Sequence, residues 1–408
     1  MNYRHAMRRG LAVGTALLFL GAAVQAQTWT TQPSPSTQDL NDVHMHDAAS
    51  GVIVGNGGVV LTTADGGQSW VQQTLTVEDL QGVAFRADGI GIAVGDNGTA
   101  FRSTDGGITW GAVSSATGSD LRGVDWGSGD VVWAAGRDGA WARSADAGVT
   151  WTAGNTGTAG RLRRVAAAGE LKAWAVGDDG IIRHSADGGQ TWQGQTSVAT
   201  GNLNDVQFLS ETEGFICGSD DIVLHTVDGG QTWTLRNSGV AVGPDGLHFL
   251  DASTGWLVGP AVVYATTDGG LTWTPQSHNV PLDFGDVFFS DAGHGWAVAE
   301  AGFIIATAPA TGIGDGPAGP ATDFVLAQNY PNPFNPTTTI AFSLPERSDL
   351  SLAVYSITGQ EVAVLARGTY PAGRHEVTFS GERLASGIYY YRLSTAGGSE
   401  MKRMILLK

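Results

Sequence analysis

The chain has 408 residues, with 60 glycines, 13 tryptophans, one cysteine and a formal net charge of −17. This length accommodates one large core and a second small domain, and the composition excludes a disordered chain and a bundle of membrane helices. Because so acidic a surface repels phosphate backbones and anionic membranes, we expect neither nucleic acid nor a lipid surface as a partner.

The first 26 residues are predicted to be a secretory signal peptide. Arg8 and Arg9 precede an apolar run from Leu11 to Val24, and a small-residue cleavage site ends at Ala26. The run is too short to span a bilayer comfortably. We therefore expect export, with no transmembrane segment in the mature chain.

An eight-residue pattern recurs through most of the chain that follows. It reads Ser/Thr-x-Asp-x-Gly-x-Ser/Thr-Trp and occurs six times, at residues 63–70, 103–110, 144–151, 185–192, 226–233 and 266–273. The pattern resembles the Asp box of sialidase-like β-propellers. We interpret its aspartates as structural, because a short Asp side chain accepts backbone N–H groups of its own turn and Gly supplies the positive φ. These box aspartates are Asp65, Asp105, Asp146, Asp187, Asp228 and Asp268.

The spacing of the boxes predicts the architecture. Their tryptophans lie 40 or 41 residues apart, the length of one four-stranded propeller blade. A seventh set of inner strands, from Asp283 to Ile305, lacks a box, but Trp29 lies 41 residues before Trp70 and is in phase with the box tryptophans. The sequence therefore predicts an all-β, seven-bladed β-propeller over residues 27–307, whose N-terminal strand closes the last blade.

Four arginines at the starts of the inner strands of blades three and four are the candidate ligand-binding residues: Arg122, Arg161, Arg163 and Arg164. Equivalent positions in other blades hold Asn41, Asp42, Gln81, Asp205 and Asp286. Ligands of such propellers usually occupy this face, and clustered guanidinium groups suit a carboxylate or a phosphate. The alternative is a structural network in which the arginines pair with Asp120 and neighbouring acids.

Two weaker candidates lie on the inner strands and their turns. The turns between second and third strands, such as residues 95–98, place carboxylates around the channel, but Asn-Gly and Asp-Gly are also what tight hairpins require. His44 and His46 fall on one side of an inner strand, yet no third metal ligand is apparent. We predict structural roles for both sets, with no metal site and no cofactor.

The repeat period stops after the seventh blade. Residues 308–322 are predicted to be a Pro/Gly/Ala-rich linker, and residues 323–408 alternate short strands with turns, which predicts a small Ig-like β-sandwich. The stretches 328–336, 355–360, 386–390 and 402–408 closely resemble the type A C-terminal sorting domain of type IX secretion. The resemblance implies passage through the periplasm to the outer surface, with the type IX machinery as a partner.

The particular sequence of these repeats indicates a binding protein. In blade four, Ala-Trp-Ala-Val-Gly at residues 173–177 followed by the box at 185–192 resembles the photosystem II stability and assembly factor family. Members of that family are non-enzymatic binders, and the arginine cluster is similar to their basic patch. The resemblance implies a secreted or cell-surface binding protein, for which we expect an anionic protein or glycan ligand and a monomeric state.

The alternative is a divergent, sialidase-like glycoside hydrolase acting on extracellular glycans. Sialidases use an arginine triad, a Tyr/Glu nucleophilic pair and an acid, and many carry an Arg-Ile-Pro motif, which this sequence lacks. Tyr264, the only tyrosine of the propeller, falls in a third strand just before a box, on the wrong face. We therefore predict no catalytic residues.

Overall fold

The computed structural model of the chain describes residues 27–236, 242–307, 325–326, 329, 334, 336–345, 347–357, 360–371, 373–395 and 398–406. The predicted signal peptide, residues 1–26, and the predicted linker, residues 308–322, lie outside these ranges. The described residues form strands, turns and five short 3-10 segments: Asn56–Gly58, Asp96–Gly98, Arg137–Gly139, Asp178–Gly180 and Glu300–Gly302. Within those ranges, no helix has the length and apolar character needed to cross a membrane.

Seven antiparallel four-stranded sheets form the blades of a propeller, as the repeats predict. In the first six blades the strands follow one another in chain order from the channel outward. They are Leu40–Met45, Gly51–Gly55, Val59–Thr63 and Val71–Thr74 in blade 1; Leu80–Phe85, Gly91–Gly95, Ala100–Ser103 and Gly111–Ala112 in blade 2; and Leu121–Trp126, Val132–Gly136, Ala140–Ser144 and Thr152–Asn155 in blade 3. They continue as Leu162–Ala168, Lys172–Gly177, Ile182–Ser185 and Gln193–Gly194 in blade 4; Leu203–Phe208, Gly214–Gly218, Ile222–Thr226 and Thr234–Leu235 in blade 5; and Gly246–Phe249, Gly255–Gly259, Val262–Thr266 and Thr274–Pro275 in blade 6.

Blade 7 combines the two ends of the propeller. Its inner strands are Phe284–Asp291, His294–Ala299 and Ile304–Thr307, and its outer strand is Trp29–Gln32. The register pairs Trp29 with Thr307 and continues to the end of both strands. Trp29 is 2% exposed and packs edge-on against Phe289, with ring centroids 5.6 Å apart. The prediction that the N-terminal strand closes the last blade is confirmed.

Each box aspartate accepts hydrogen bonds from its own turn. One oxygen of Asp105 accepts the Ser103 hydroxyl at 2.8 Å and the Thr109 N–H at 2.9 Å, and the other accepts the Thr109 hydroxyl at 2.6 Å. The same three bonds recur in the other five boxes. Gly107 adopts a φ of 87°, which an L residue rarely does. The boxes thus fix the turn that leads into each outer strand.

The last domain is a β-sandwich. One sheet contains Val325–Leu326, Thr337–Leu344 and Gly373–Ser380, and the other contains Glu361–Tyr370, Ser348–Ser356, Gly387–Thr395 and Gly398–Leu406. Side chains from both sheets, such as Phe342 and Tyr391, meet in one apolar core. Strands alternate with turns as predicted: six of eight to ten residues, preceded by the short strand Val325–Leu326.

Candidate functional site

The inner strands begin at one end of the channel, and equivalent residues of the seven blades form rings there. We define three rings by their position relative to one buried residue that aligns in all seven repeats: Leu40, Leu80, Leu121, Leu162, Leu203, Pro244 and Phe284. The outer ring, just before it, is Asp39, Asp79, Asp120, Arg161, Asn202, Gly243 and Asp283. The mouth ring, just after it, is Asn41, Gln81, Arg122, Arg163, Asn204, Asp245 and Gly285. The channel ring comes next and is Asp42, Gly82, Gly123, Arg164, Asp205, Gly246 and Asp286.

A β-bulge explains why two successive residues contribute to the site. In blade 4 the pairing with the second strand shifts between Leu162 and Arg164, so Arg163 is the extra, unpaired residue. The same shift occurs in blades 1, 2, 3, 5 and 7. A bulge redirects the side chain beside it, which strict strand alternation would send to the opposite face. In blade 4, the mouth-ring side chain of Arg163 and the channel-ring side chain of Arg164 therefore line the same cavity.

Most of the outer ring has a structural role. Asp79 accepts the backbone N–H of Gly57 at 2.8 Å, and Asp120 accepts that of Asn97 at 3.0 Å. Asp39 and Asn202 make the equivalent bonds to blades 7 and 4. Each of these side chains caps the turn of the preceding blade. In blade 4 the position belongs to Arg161, which cannot accept an N–H, so Arg161 departs from this capping pattern.

The four predicted arginines line one cavity of about 230 Å³ at the mouth of the channel. We call it the arginine pocket; besides the arginines its lining is Asn41, Gln81, Asn204, Asp245 and Gly285. Three of the arginines keep 21–31% of their side-chain surface exposed, whereas Arg164 keeps 14%. The sequence analysis thus grouped residues that are neighbours in space, although they differ in accessibility.

Asp178 orients two of the exposed arginines. Arg163 donates from Nε to one oxygen of Asp178 at 2.6 Å, and Nε of Arg161 lies 3.5 Å from the other oxygen. In the described part of the chain, this is the only hydrogen bond of the Arg163 guanidinium, and Arg161 makes none. Their remaining N–H groups are therefore available on the wall of the pocket.

Arg122 has more partners than Arg161 or Arg163. It also lies close to two other arginines, so positive charge is concentrated at this site. It donates to Gln81 Oε1 at 3.2 Å and lies 3.8–3.9 Å from Asp96 and Asp120. Burial lowers the pKa of Arg122; Asp96 opposes this effect, whereas the charges of Arg161 and Arg137 add to it. The structural network that was the alternative reading is present in part, because Asp120 also pairs with Arg137 at 3.1 Å.

Arg164 lies at the base of the arginine pocket and also lines a cavity deeper in the channel. Its three guanidinium nitrogens face carboxylates of three other blades: Asp42 at 3.3 Å, Asp205 at 3.6 Å and Asp286 at 3.8 Å. Burial alone would lower the pKa of Arg164, but these three aspartates raise it by more. Gly123 lets the inner strands of blades 3 and 4 approach closely, since a Cβ there would lie 2.9 Å from Arg164 Cα. The charge of Arg164 is thus neutralised by the protein itself.

The predicted histidines lie deeper in the channel. His44 packs against Phe288 and Phe85, with ring centroids 4.8 and 5.7 Å apart, and His46 packs edge-on against Phe85 at 4.6 Å. Burial, together with the nearby His46 and His248, lowers the pKa of His44 to about 3. The described residues contain no group of three or more His, Cys, Asp or Glu side chains placed to hold a metal ion.

A second cavity of about 300 Å³ adjoins the arginine pocket, and the sequence analysis missed it. It lies at blades 6, 7 and 1, and we call it the acidic pocket; its charged residues are Asp39, Asp245, Asp283 and Glu300. Burial and the charge of Asp283 raise the pKa of Asp245 to about 6, although Arg163 lowers it. These acids can be found from the sequence if the starts of all seven inner strands are aligned. Asp245 and Asp283 then fall at positions equivalent to Arg163 and Arg161.

Tyr264 does not belong to either pocket. It packs on the apolar core between blades 5 and 6, beside Leu257 and Trp273. A tyrosine nucleophile of the sialidase kind is therefore missing from the described lining of the channel mouth.

Comparisons with known proteins agree with this architecture. Residues 22–114, 78–204, 159–245 and 199–275 match the family described as photosynthesis system II assembly factor YCF48, and residues 328–407 match the secretion system C-terminal sorting domain. A search of curated proteins gives no match.

Solved structures share the propeller fold. YCF48 bound to D1 peptide is 22% identical, with a TM-score of 0.59, and the match covers 69% of this chain and 97% of that one. YCF48 from Cyanidioschyzon merolae is 19% identical, with a TM-score of 0.56 and coverage of 70% and 99%. The WD40 propeller of Doa1 is 13% identical, with a TM-score of 0.58 and coverage of 70% and 97%. Because the family matches together span residues 22–275, more than half of the sequence, this chain belongs to the YCF48 photosynthesis system II assembly factor family and carries a C-terminal sorting domain of type IX secretion.

Proposed function

We propose that the protein is a non-enzymatic binding propeller that type IX secretion exports through the periplasm, to be secreted or held at the outer surface, and that its arginine pocket binds an anionic group. The proposal assigns residues 1–26 to a signal peptide, 27–307 to the propeller, 308–322 to a linker and 323–408 to the sorting domain. Its ligand is an extracellular macromolecule, because the sorting domain directs the chain outward.

One observation carries the binding proposal: Arg161 replaces the turn-capping acid of the outer ring and makes no hydrogen bond among the described residues. The capping side chains of this ring bond the turn of a neighbouring blade. Arg161 and Arg163 instead contact Asp178 through Nε and present their terminal nitrogens to the cavity. Two adjacent guanidinium groups match the two oxygens of a carboxylate or the three of a phosphate.

A polypeptide is the ligand class that we favour. A related propeller, YCF48, has been solved with the D1 peptide bound, so a peptide is a known kind of ligand for this fold family. The partner of this chain is a different polypeptide from the photosystem protein, because a chain exported by type IX secretion meets other proteins.

The test is a peptide array, with acidic and neutral members, probed with the purified full chain. We expect acidic peptides to be retained, and we expect Arg161→Gln and Arg163→Gln to abolish their retention. Arg183→Gln, in the third strand of the same blade, is the matched control and should bind like the wild type. Retention that is independent of Arg161 and Arg163 contradicts the site, and turnover of fluorogenic glycosides by the full chain contradicts a non-enzymatic role.

A further inference from the structure

We infer that the channel mouth recognises a dipolar ligand: a polypeptide segment in which a carboxylate and a basic side chain are close neighbours. The inference rests on the proposed function, which supplies the anion-binding half. It adds a cation-binding half, formed by the acidic pocket, and thereby specifies the ligand more narrowly than "anionic".

The two pockets lie side by side at the channel mouth. Asn41, Asp245 and Gly285 line both cavities, so the arginine pocket and the acidic pocket are direct neighbours. Their charges are opposite: arginines of blades 3 and 4 border one side, and acids of blades 6, 7 and 1 border the other. A ligand long enough to cross the mouth therefore meets a positive surface and then a negative one.

One acid of the acidic pocket, Asp283, resembles Arg161 in having no capping role in the outer ring. Asp39, in the outer ring of blade 1, caps the turn of blade 7. Asp283 holds the equivalent position in blade 7, but its carboxylate accepts no hydrogen bond from the described residues. The turn of blade 6 is bonded instead by the backbone carbonyl of Leu282, which accepts the N–H of Ala261 at 3.1 Å. Among the charged outer-ring residues, those without a capping role are thus Arg161 and Asp283, one of each sign.

Like charges are crowded together within each half. Asp283 raises the pKa of Asp245, which burial has already raised, and Arg161 lowers that of Arg122 in the same direction as burial. Each half is consequently stabilised by an opposite charge placed on it. A ligand with an anion and a cation satisfies both halves, whereas a polyanion such as a nucleic acid or a sulfated glycan is attracted by one half and repelled by the other. Polypeptides carry both charges within a few atoms of each other.

The probes are three short peptides with a free C-terminal carboxylate and an uncharged N-terminal fluorophore: Gly-Ser-Lys-Ala, Gly-Ser-Gln-Ala and Gly-Ser-Glu-Ala. Binding to the purified full chain is measured by fluorescence anisotropy at physiological salt. We expect the lysyl peptide to bind about three- to fivefold more tightly than the glutaminyl peptide, the range of a partly exposed ion pair, and the glutamyl peptide to bind most weakly.

Variants separate the two halves of the site. Asp283→Asn combined with Glu300→Gln should remove the preference for lysine over glutamine and leave the glutaminyl affinity unchanged. These two side chains make no hydrogen bond or ion pair with the described residues, so the fold should tolerate the change, which a thermal melt verifies. Asp138→Asn, an exposed acid on the turn of blade 3, is the control and should keep the preference.

The outcomes are distinguishable. Equal affinities for the lysyl and glutaminyl peptides, both lost in Arg163→Gln, overturn the dipolar inference and leave the anionic site standing. Affinities that Arg163→Gln does not change overturn the proposed function as well. Absence of binding by all three peptides to the wild type also overturns the dipolar inference.

Discussion

Replacing Arg164 by methionine tests how the channel is stabilised. Methionine keeps an unbranched stem of similar length but removes the cation that faces Asp42, Asp205 and Asp286 at 3.3–3.8 Å. Breaking a buried ion pair by removing one partner typically costs about 3–5 kcal/mol. Because Arg164 is 14% exposed and borders a cavity, we expect a loss in the lower part of this range, about 3 kcal/mol.

The assay is the thermal unfolding of the full chain at pH 8, followed by circular dichroism. A loss of about 3 kcal/mol corresponds to a decrease in Tm of roughly 6–12 °C for a domain of this size. The matched control is Arg163→Met. Arg163 is the preceding residue, is 27% exposed and pairs with a single acid, so its removal should change the stability by at most about 1 kcal/mol.

The loss of stability caused by Arg164→Met should depend on pH. Burial raises the pKa of Asp205 and Asp286, and Arg164 lowers both, so the substitution raises them further. A carboxyl group whose pKa is raised by folding stabilises the native state while it is protonated and loses this contribution as the pH rises. The difference in Tm between the variant and the wild type should therefore be smallest near pH 5 and largest at pH 8. Equal Tm values at pH 8, within about 2 °C, would refute the role assigned to Arg164.

Three further predictions concern the closing strand, the boxes and the sorting domain. Deleting residues 27–34 removes the outer strand of blade 7 and should lower the Tm sharply; an unchanged Tm excludes closure by this strand in solution. Asp105→Ala should destabilise the propeller by about 1–3 kcal/mol, measured by urea unfolding, without altering peptide binding, because its partners lie in its own turn. Normal stability with lost binding would make the box a binding site. A chain ending near Gly312 should fold and remain in the periplasm of a host with type IX secretion, and its appearance at the cell surface would contradict the role of the sorting domain.

The number of blades was predictable because one bulky residue marks the phase of each repeat. A box tryptophan recurs every 40 or 41 residues, and Trp29 continues that series without a box of its own. Burial of Trp29 against Phe289 is the packing that this phase implies. The strands of the sandwich were also predictable, because their apolar residues alternate between turns rich in Gly, Pro and Asn.

The site was predictable only in part, because its chemistry depends on residues from distant blades. The repeat alignment placed four arginines together, but it did not show that Arg164 is paired with carboxylates while Arg163, one residue earlier, faces the cavity. That difference arises from Asp42, Asp205 and Asp286, which three other blades place around Arg164. The acidic pocket was missed for a related reason: Asp245 and Asp283 approach Asn41 and Arg163 only when the ring is closed.

The pairing of Trp29–Gln32 with Ile304–Thr307 also determines when the propeller is complete. The strand Trp29–Gln32 has no partner until the inner strands of blade 7 have formed. The ring is therefore complete only when the contact of greatest sequence separation in the propeller has been made. Contacts of such separation are slow to form, and the edge of blade 7 exposes unpaired backbone groups until they do. Cleavage of the chain just after Gln32 would therefore affect the stability of all seven blades, although only four residue pairs are lost directly.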